Sequence, residues 1–360
     1  VALKQSVDIG SFPVMTRDLR RRYQNGREFL NILVTGGAGY IGGTVALRLL
    51  AAAHNVIVFD NFSHGHRELV PAGTQVIDGD LADRSLLESV LRDQHVDAVM
   101  HFAALIEAGE SMVHPERFFR NNTASTLTLL EAMLAAAVKR LVFSSTAAVY
   151  GEPKSTPIEE TAELKPTNAY GESKLLVEHM LTWLNRIHGL RYASLRYFNV
   201  AGAIEGRGEA HEPESHLIPL ILDVALGRRQ SIKIFGKDYP TPDGTCIRDY
   251  VHVGDLADAH VLALGALEQQ DRLIYNIGNG QGFSVREVVE SVRRVTGHPI
   301  PVLEEPRRPG DPAVLVASSR RIMEELHWKP RFNALDDIVR SAWVWHQQRY
   351  STATAQRAAR

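Results

Sequence analysis

From Asn31 to Phe198, short continuous apolar runs alternate with segments whose apolar residues recur at helical spacing. The run Asn31-Ile-Leu-Val34 reads as a buried parallel strand. Residues 40–53 then place Ile41, Val45, Leu49 and Ala52 on one helical face. Further strands are expected at 56–59, 76–78, 98–102, 141–144 and 192–198, with helices at 85–94, 117–137 and 171–188 between them. Such alternation predicts an α/β protein, a doubly wound parallel sheet with helices on both faces. The pattern breaks near Gly202. A Gly-, Glu- and His-rich loop at 203–215 leads into a helix at 217–226, a strand at 232–235 and a turn-rich stretch holding Pro240, Pro242 and Gly244. A strand at 274–277, which the pattern allows to return to the first sheet, precedes a helix at 285–296, a loop at 304–312 and a last helix at 335–347. This second lobe is smaller and more irregular, as suits a substrate cap. The chain carries no internal repeat.

The turn Thr35-Gly-Gly-Ala-Gly-Tyr-Ile-Gly42 lies between the first strand and the first helix. Glycines there permit the tight reversal, let the main chain approach a pyrophosphate and let helix pack on strand. The helix N-terminus offers free N–H groups and a positive dipole end to phosphates. The second strand ends in Asp60, which suits adenosine ribose hydroxyls and repels a 2′-phosphate. The expectation is a Rossmann-type domain that binds NAD rather than NADP. The layout is then an N-terminal extension over 1–29, the NAD-binding domain over 30–199, a cap over 200–350 and a tail over 351–360.

Bulk composition narrows the class. At 360 residues two lobes are natural, and 44% hydrophobic with 23% charged residues describes a globular protein with ample core. A net charge of −2 gives no case for nucleic acid or an anionic membrane as partner. The sole cysteine, Cys246, excludes an intrachain disulfide and points to a reducing cytoplasm. No apolar run approaches the ~18 residues of a membrane span. The first thirty residues hold Arg17, Arg20, Arg21, Arg22 and Arg27 without an apolar signal region, and read as a poorly ordered extension.

Asn168-Ala-Tyr170-Gly-Glu-Ser-Lys174 carries the chemistry. Residues four apart share a helix face, so Tyr170 and Lys174 present phenol and ammonium together. A tyrosine base working near neutrality needs its pKa about three units below ~10, or ~4 kcal/mol. One unit charge ~4 Å away at an effective dielectric of ~20 is worth about that much. A lysine aided by the positive charge of an oxidised nicotinamide is therefore expected to suffice. The hydroxyl cluster Ser144, Ser145 and Thr146 ends a predicted strand, where ligands of such sheets bind, and spacing alone does not choose among the three. His64, His66, His101, His211, His216 and His252 show no metal-binding spacing, so no metal site is expected. The helix at 171–188 is apolar over a broad arc, from Leu176 to Ile187, which reads either as a deeply buried core helix or as packing against a second subunit.

Other motifs extend along the chain: Asp60-Asn61, Gly79-Asp80-Leu81, His101-Phe-Ala-Ala104, Gly109-Glu-Ser111, Asn121-Asn122 and Arg196-Tyr-Phe-Asn199. In the cap they are Ile234-Phe-Gly236, Asp238-Tyr-Pro-Thr241, Asp243-Gly-Thr245, Arg248-Asp-Tyr-Val-His252 and Arg308-Pro-Gly-Asp311. With these the chain resembles the extended short-chain dehydrogenase/reductase superfamily and, within it, the family of UDP-glucose 4-epimerases, from about residue 32 to 350. The resemblance implies that Gly36, Gly39, Tyr40, Ile41 and Gly42 hold the pyrophosphate, Asp60 and Asn61 the ribose, and Asp80 and Leu81 the adenine. Phe102, Ala103, Ala104, Asn122 and Phe198 would line the cofactor groove, with Tyr170 and Lys174. It makes Thr146 the catalytic hydroxyl beside Tyr170 and Lys174. It assigns Asn199, Leu217, Phe235, Arg248 and Arg308 to the UDP moiety, and Asp311 to the uridine ribose.

The implied activity is NAD-dependent epimerisation at C4 of a UDP-hexose, UDP-glucose to UDP-galactose, through a 4-keto sugar in galactose metabolism. C4 epimerisation of another UDP-sugar, UDP-N-acetylglucosamine or UDP-glucuronate, is the alternative. A homodimer is implied. Ile106 departs from relatives that carry a lysine there to contact the cofactor. The related 4,6-dehydratases place an Asp-Glu pair after the catalytic Thr, whereas this chain has Ala147 and Ala148. A residue three or four beyond Asp311, Val314 or Leu315, would gate the space beside the sugar's 2-substituent.

Overall fold

The computed structural model describes residues 29–308 and 311–358. Of the expected N-terminal extension only Phe29 is among them. The first half runs β1 (Asn31–Thr35), α1 (Tyr40–Ala51), β2 (Asn55–Asp60), β3 (Gln75–Asp78), α2 (Arg84–Asp93), β4 (Ala98–His101), α3 (Ser125–Ala135), β5 (Arg140–Thr146), α4 (Ala169–His188) and β6 (Arg191–Tyr197). After β6 come β7 (Asn199–Ala201), α5 (Leu217–Ala225), β8 (Ile232–Phe235), β9 (Ile247–His252) and α6 (Val253–Ala266). The chain closes with β10 (Arg272–Ile277), β11 (Gly282–Ser284), α7 (Val285–Thr296), β12 (Val302–Glu305), β13 (Val314–Leu315) and α8 (Leu335–Ala358).

Seven strands form one parallel sheet in the order β10-β6-β5-β4-β1-β2-β3. Alternation along β1 explains its two-sided burial. Ile32 and Val34 join the core beneath α1 and α6, while Leu33 joins the opposite core with Leu87, Leu129, Met133 and Val177. Strands buried on both faces must be apolar throughout, which is why these runs look continuous in sequence. The strand order reverses between β4 and β1, so a crevice opens outside their carboxyl ends. Thr35, His101 and Thr146 end strands there.

The smaller region packs α5, α7 and α8 around Ile232 and Ile234 of β8, which pairs in parallel with β12. Its other sheet joins β11, β9 and β13, with β7 also on β9. β10 lies beside β6 in the large sheet although it follows β8 and β9 in the chain. Ser284 and Glu287 close a reciprocal cap on α7, and Gly297 ends it in the left-handed region.

Two helices differ from the pattern-based reading. The segment at 117–137 is a short helix (Pro115–Phe118), a π-helical stretch (Phe119–Ala124) and α3. The wider turn lets Asn122 reach out of the helix to Leu105, whose N–H it accepts and whose carbonyl it binds, each at 2.9 Å. The last helix runs past residue 347 to Ala358, because 348–358 hold neither Gly nor Pro to stop it. The expected tail is thus helical up to Ala358. Among the described residues no helix is long and apolar enough to cross a membrane.

Candidate active site

The cradle at the end of β1 is made by backbone. Gly36 has φ +72°, and a Cβ there would come within 2.5 Å of the Ala103 nitrogen. A Cβ at Gly42 would strike the Gly36 carbonyl. The first turn of α1 begins at Gly39 with no side-chain cap and no acidic residue, so its N–H groups stay available to an anion. Ile41 packs inward on the core, and Tyr40 donates its hydroxyl to the Gly202 carbonyl at 2.6 Å. Asp60 accepts the Ala38 and Phe62 N–H groups, each at 2.9 Å, which fixes its carboxylate beside the turn. Asn61 donates to Asp80 at 2.8 Å, and Leu81 is buried next to it. Phe102 follows β4 and donates its N–H to the Thr35 carbonyl, setting Ala103 and Ala104 across from the glycine turn. A dinucleotide fits this cradle: free N–H groups stand where no side chain can, and an acid stands where ribose hydroxyls need an acceptor.

The reactive face is built where α4 meets β5. Asn168 accepts the Gly171 N–H at 2.8 Å and starts the helix. Gly171 lets α4 lie on the turn after β5, since a Cβ there would sit 2.6 Å from the Ala148 carbonyl. This contact sets the Thr146 hydroxyl on the Tyr170 phenol. The other two hydroxyls have different partners. Ser144 pairs with the Tyr197 hydroxyl, and Ser145 donates to Glu178 at 2.6 Å. Lys174, one turn after Tyr170, donates to the Ser144 carbonyl at 2.9 Å. Asn122 spends its side chain on Leu105 and Ser173, so its place in the groove is structural as well.

Burial acts on both members of the Tyr170–Lys174 pair. Burial pushes the Tyr170 phenol up to about 12, opposed by the Thr146 hydrogen bond and reinforced by the Glu107 charge. Burial alone brings Lys174 down to about 7. Without the nicotinamide charge that the expectation included, burial keeps the phenol protonated. Desolvation penalises both charged forms, and the lysine's ammonium is committed to a carbonyl. His101 beneath it is held neutral, brought down to about 3 by burial and by the Lys174 charge, with ring nitrogens on Thr35 and Thr126.

On the cap side, Arg248 donates to the Ile247 and Pro312 carbonyls at 2.9 Å, and its second nitrogen lies 3.8 Å from Asp311. The Arg308 guanidinium stacks 3.9 Å over the Phe235 ring. Asn199 is exposed on β7 and Phe198 is buried beside Leu175 and Leu315. Leu217 opens α5 against the cap core. The structure thus gathers Arg248, Asp311, Arg308 and Phe235 from three segments.

Glu178, which the pattern did not single out, holds this arrangement. Glu178 binds Arg196 through Nε at 3.0 Å and Nη2 at 2.5 Å, and Arg196 reaches the Tyr150 hydroxyl at 2.9 Å. The available signal was spacing, since Glu178 lies one further turn along the helix from Lys174. Nothing in the sequence marks Tyr197 as a neighbour of Tyr170.

The fold and this site define an NAD-dependent enzyme built on a Rossmann-type domain. The NAD dependent epimerase/dehydratase family matches residues 32–278, and the chain belongs to that family. A UDP-glucose 4-epimerase of Streptomyces lividans is 56% identical over 315 residues, 87% of this chain and 95% of its own. The Brucella ovis UDP-glucose 4-epimerase solved with NAD is 43% identical with a TM-score of 0.85, covering 88% of this chain and 98% of its own. The Bifidobacterium longum enzyme with NAD+ and UDP is 38% identical with a TM-score of 0.85, covering 89% and 99%.

Lys174 generates a pH prediction. Its folded pKa lies below the unfolded ~10.5, so the unfolded chain binds more protons from pH 7 to 10.5 and this residue's destabilisation fades across that window. Lys174→Met removes the burial cost. The stability of the variant minus that of wild type, from urea unfolding, should be most positive at or below pH 7 and fall by on the order of several kcal/mol by pH 10. A gap independent of pH contradicts the assignment.

Proposed function

We infer that this chain interconverts UDP-glucose and UDP-galactose by inversion at C4 through a bound 4-keto sugar. The observation that carries the reading is the joining of Thr146, Tyr170 and Lys174 beside a dinucleotide cradle. The names of its relatives support the same substrate. Bound NAD supplies a hydride acceptor and donor at C4 and, when oxidised, a fixed positive charge. Tyr170 takes the proton of the sugar 4-hydroxyl and later returns it, with Thr146 hydrogen-bonded to the same oxygen. Lys174 braces the end of β5 through Ser144 and stands one turn from Tyr170, where its ammonium favours the phenolate form. Arg248, Arg308 and Asn199 are suited to the UDP phosphates and Asp311 to the uridine ribose, guanidinium forks matching phosphate oxygens. Phe235 and Leu217 would flank the uridine. Redox change cancels over the cycle, so the cofactor stays.

Ala147 and Ala148 argue against dehydration, since neither supplies the acid or base that elimination requires. A second reading, turnover of N-acetylated UDP-sugars, is favoured by β13. Leu315, opposite Arg248 in register, packs beside Phe198, and it lacks the bulk of a tyrosine ring.

The working form is a homodimer in this reading. Trp183 and Ile187, one turn apart on α4, are 60% and 66% exposed, and Leu127 of the adjoining α3 is also exposed. A second copy would cover that apolar face. The buried lone thiol of Cys246 suits a reducing cytoplasm.

Purified protein should convert UDP-galactose to UDP-glucose without added cofactor, and Tyr170→Phe should retain NAD while turnover falls ~10²–10⁴-fold. Full activity in that variant sinks the mechanism. Wild type should also interconvert UDP-N-acetylglucosamine and UDP-N-acetylgalactosamine at a lower rate, and Leu315→Tyr should suppress this reaction alone by steric exclusion. Absence of that activity in wild type refutes the open pocket. Trp183→Glu should shift the protein from dimer to monomer in sedimentation velocity, and an unchanged dimer places the interface elsewhere.

A further inference from the structure

Asp249 lies inside the Arg248-Asp-Tyr-Val-His252 motif, yet neither the cradle nor the reactive face uses it. It is fully buried on β9, directly after Arg248. Neighbouring residues of a strand point to opposite faces. Arg248 turns to the Pro312 carbonyl and Asp311, and Asp249 turns away from them. Its carboxylate accepts three backbone N–H groups, Asn279 at 2.6 Å on one oxygen and Gly280 and Ala317 at 3.0 Å each on the other. Asn279 and Gly280 follow β10, an edge strand of the large sheet. Ala317 follows β13, the strand that carries Leu315 beside Arg248.

Those three bonds are what supports the charge. Burial pushes the carboxyl up to about 6, opposed by the three N–H groups and by no cation. An anion buried in this way costs stability. What it provides is position, since two oxygens hold N–H groups from two segments far apart in sequence. The packing is tight around it: a Cβ at Gly278 would strike Asp249 Oδ2 and come within 2.5 Å of the Ala317 Cβ. β13 needs such a tie, because its pairing with β9 covers Val314 and Leu315 alone. Beyond Ala317 the chain is bound to the segment that leaves the reactive face. Ile158 donates to the Val316 carbonyl and accepts the Ser318 N–H, each at 2.8 Å.

We propose that Asp249 is a positioning residue for the UDP-sugar. By holding Ala317 it fixes β13, and so sets Leu315, Pro312 and Asp311 against Arg248. The Pro312 carbonyl holds the Arg248 guanidinium, so a shift of this segment moves the cation and its acidic neighbour together. The inference rests on the reading of Arg248 and Asp311 as ligands of UDP. The cofactor cradle stands on β1, β2, β4 and α1, which the clamp does not touch.

Calorimetric titration of the NAD-loaded protein with UDP, beside steady-state kinetics on UDP-galactose, tests this. Asp249→Asn keeps the shape but turns an NH₂ donor toward N–H groups. UDP affinity should fall about tenfold or more, and KM for UDP-galactose should rise by a similar factor. The NAD content should match wild type, and kcat should stay within about twofold, because Thr146, Tyr170 and Lys174 are held by other elements. Gly278→Ala crowds the carboxylate without removing its charge. It should move UDP affinity and KM the same way by a smaller factor, and its result decides the question if Asp249→Asn does not fold. A lower thermal midpoint with unchanged UDP affinity makes Asp249 a stability residue and overturns the inference, as does a fall in kcat at unchanged KM. Wild type that binds no UDP overturns both the inference and the reading beneath it. Wild type that binds UDP no better than the variants overturns the inference alone.

Discussion

The buried pair of Glu178 and Arg196 fastens the reactive helix to the sheet, and the rest of the site depends on it. Their side chains are only 5% and 3% exposed. Glu178 lies on α4 with Tyr170 and Lys174, Arg196 lies on β6, and Ser145, which also binds Glu178, precedes Thr146 on β5. Arg196 extends the network to Tyr150, whose hydroxyl donates to Asn276 on β10. Three neighbouring strands and the helix above them are therefore joined by hydrogen bonds that have no solvent competitor. Removing one member of such a pair leaves an uncompensated buried charge, which typically costs ~3–5 kcal/mol. Its contribution to function is registry: the Thr146 hydroxyl meets Tyr170 because β5 and α4 cannot slide past one another.

That rigidity surrounds a deliberately unfavourable site. Tyr170 and Lys174 are both buried where the charged forms they need are disfavoured. In water a phenol and an ammonium would interact weakly. In a dry crevice each added charge has a large effect on the other, so the state of the base responds to what occupies the cradle. Under the proposed roles of Tyr170 and Lys174, catalytic competence is coupled to cofactor binding, at a cost in stability of the kind active sites commonly carry.

The second half of the chain meets the cradle in two ways, through the apolar core that α6 shares with α1 and β1 and through a few polar contacts. Tyr40 reaches the Gly202 carbonyl, and His66 links Ala38 to Ala210. Arg48 on α1 meets Glu205 and Asp258 at 3.3 Å.

Local chemistry made much of this protein legible from its sequence. Parallel strands buried on both faces must be continuous apolar runs, so β1, β2, β4, β5 and β6 were readable, and the glycine turn was readable because only glycine tolerates the approach of Ala103. Asp60 at a strand end and Tyr170 with Lys174 at one-turn spacing were readable because their geometry is set within a few residues. What lay beyond such short range was decided by tertiary structure. Spacing could not choose among Ser144, Ser145 and Thr146, whose separate partners, Tyr197, Glu178 and Tyr170, come from other elements. The sign of the Tyr170 shift depended on burial, a property of the whole fold. The interruption of the helix at Asn122 depended on Leu105, and the convergence of Asn279, Gly280 and Ala317 on Asp249 depended on the meeting of β9, β10 and β13. Hydrogen bonds between distant segments leave no period in the sequence, and so only the folded chain reveals them.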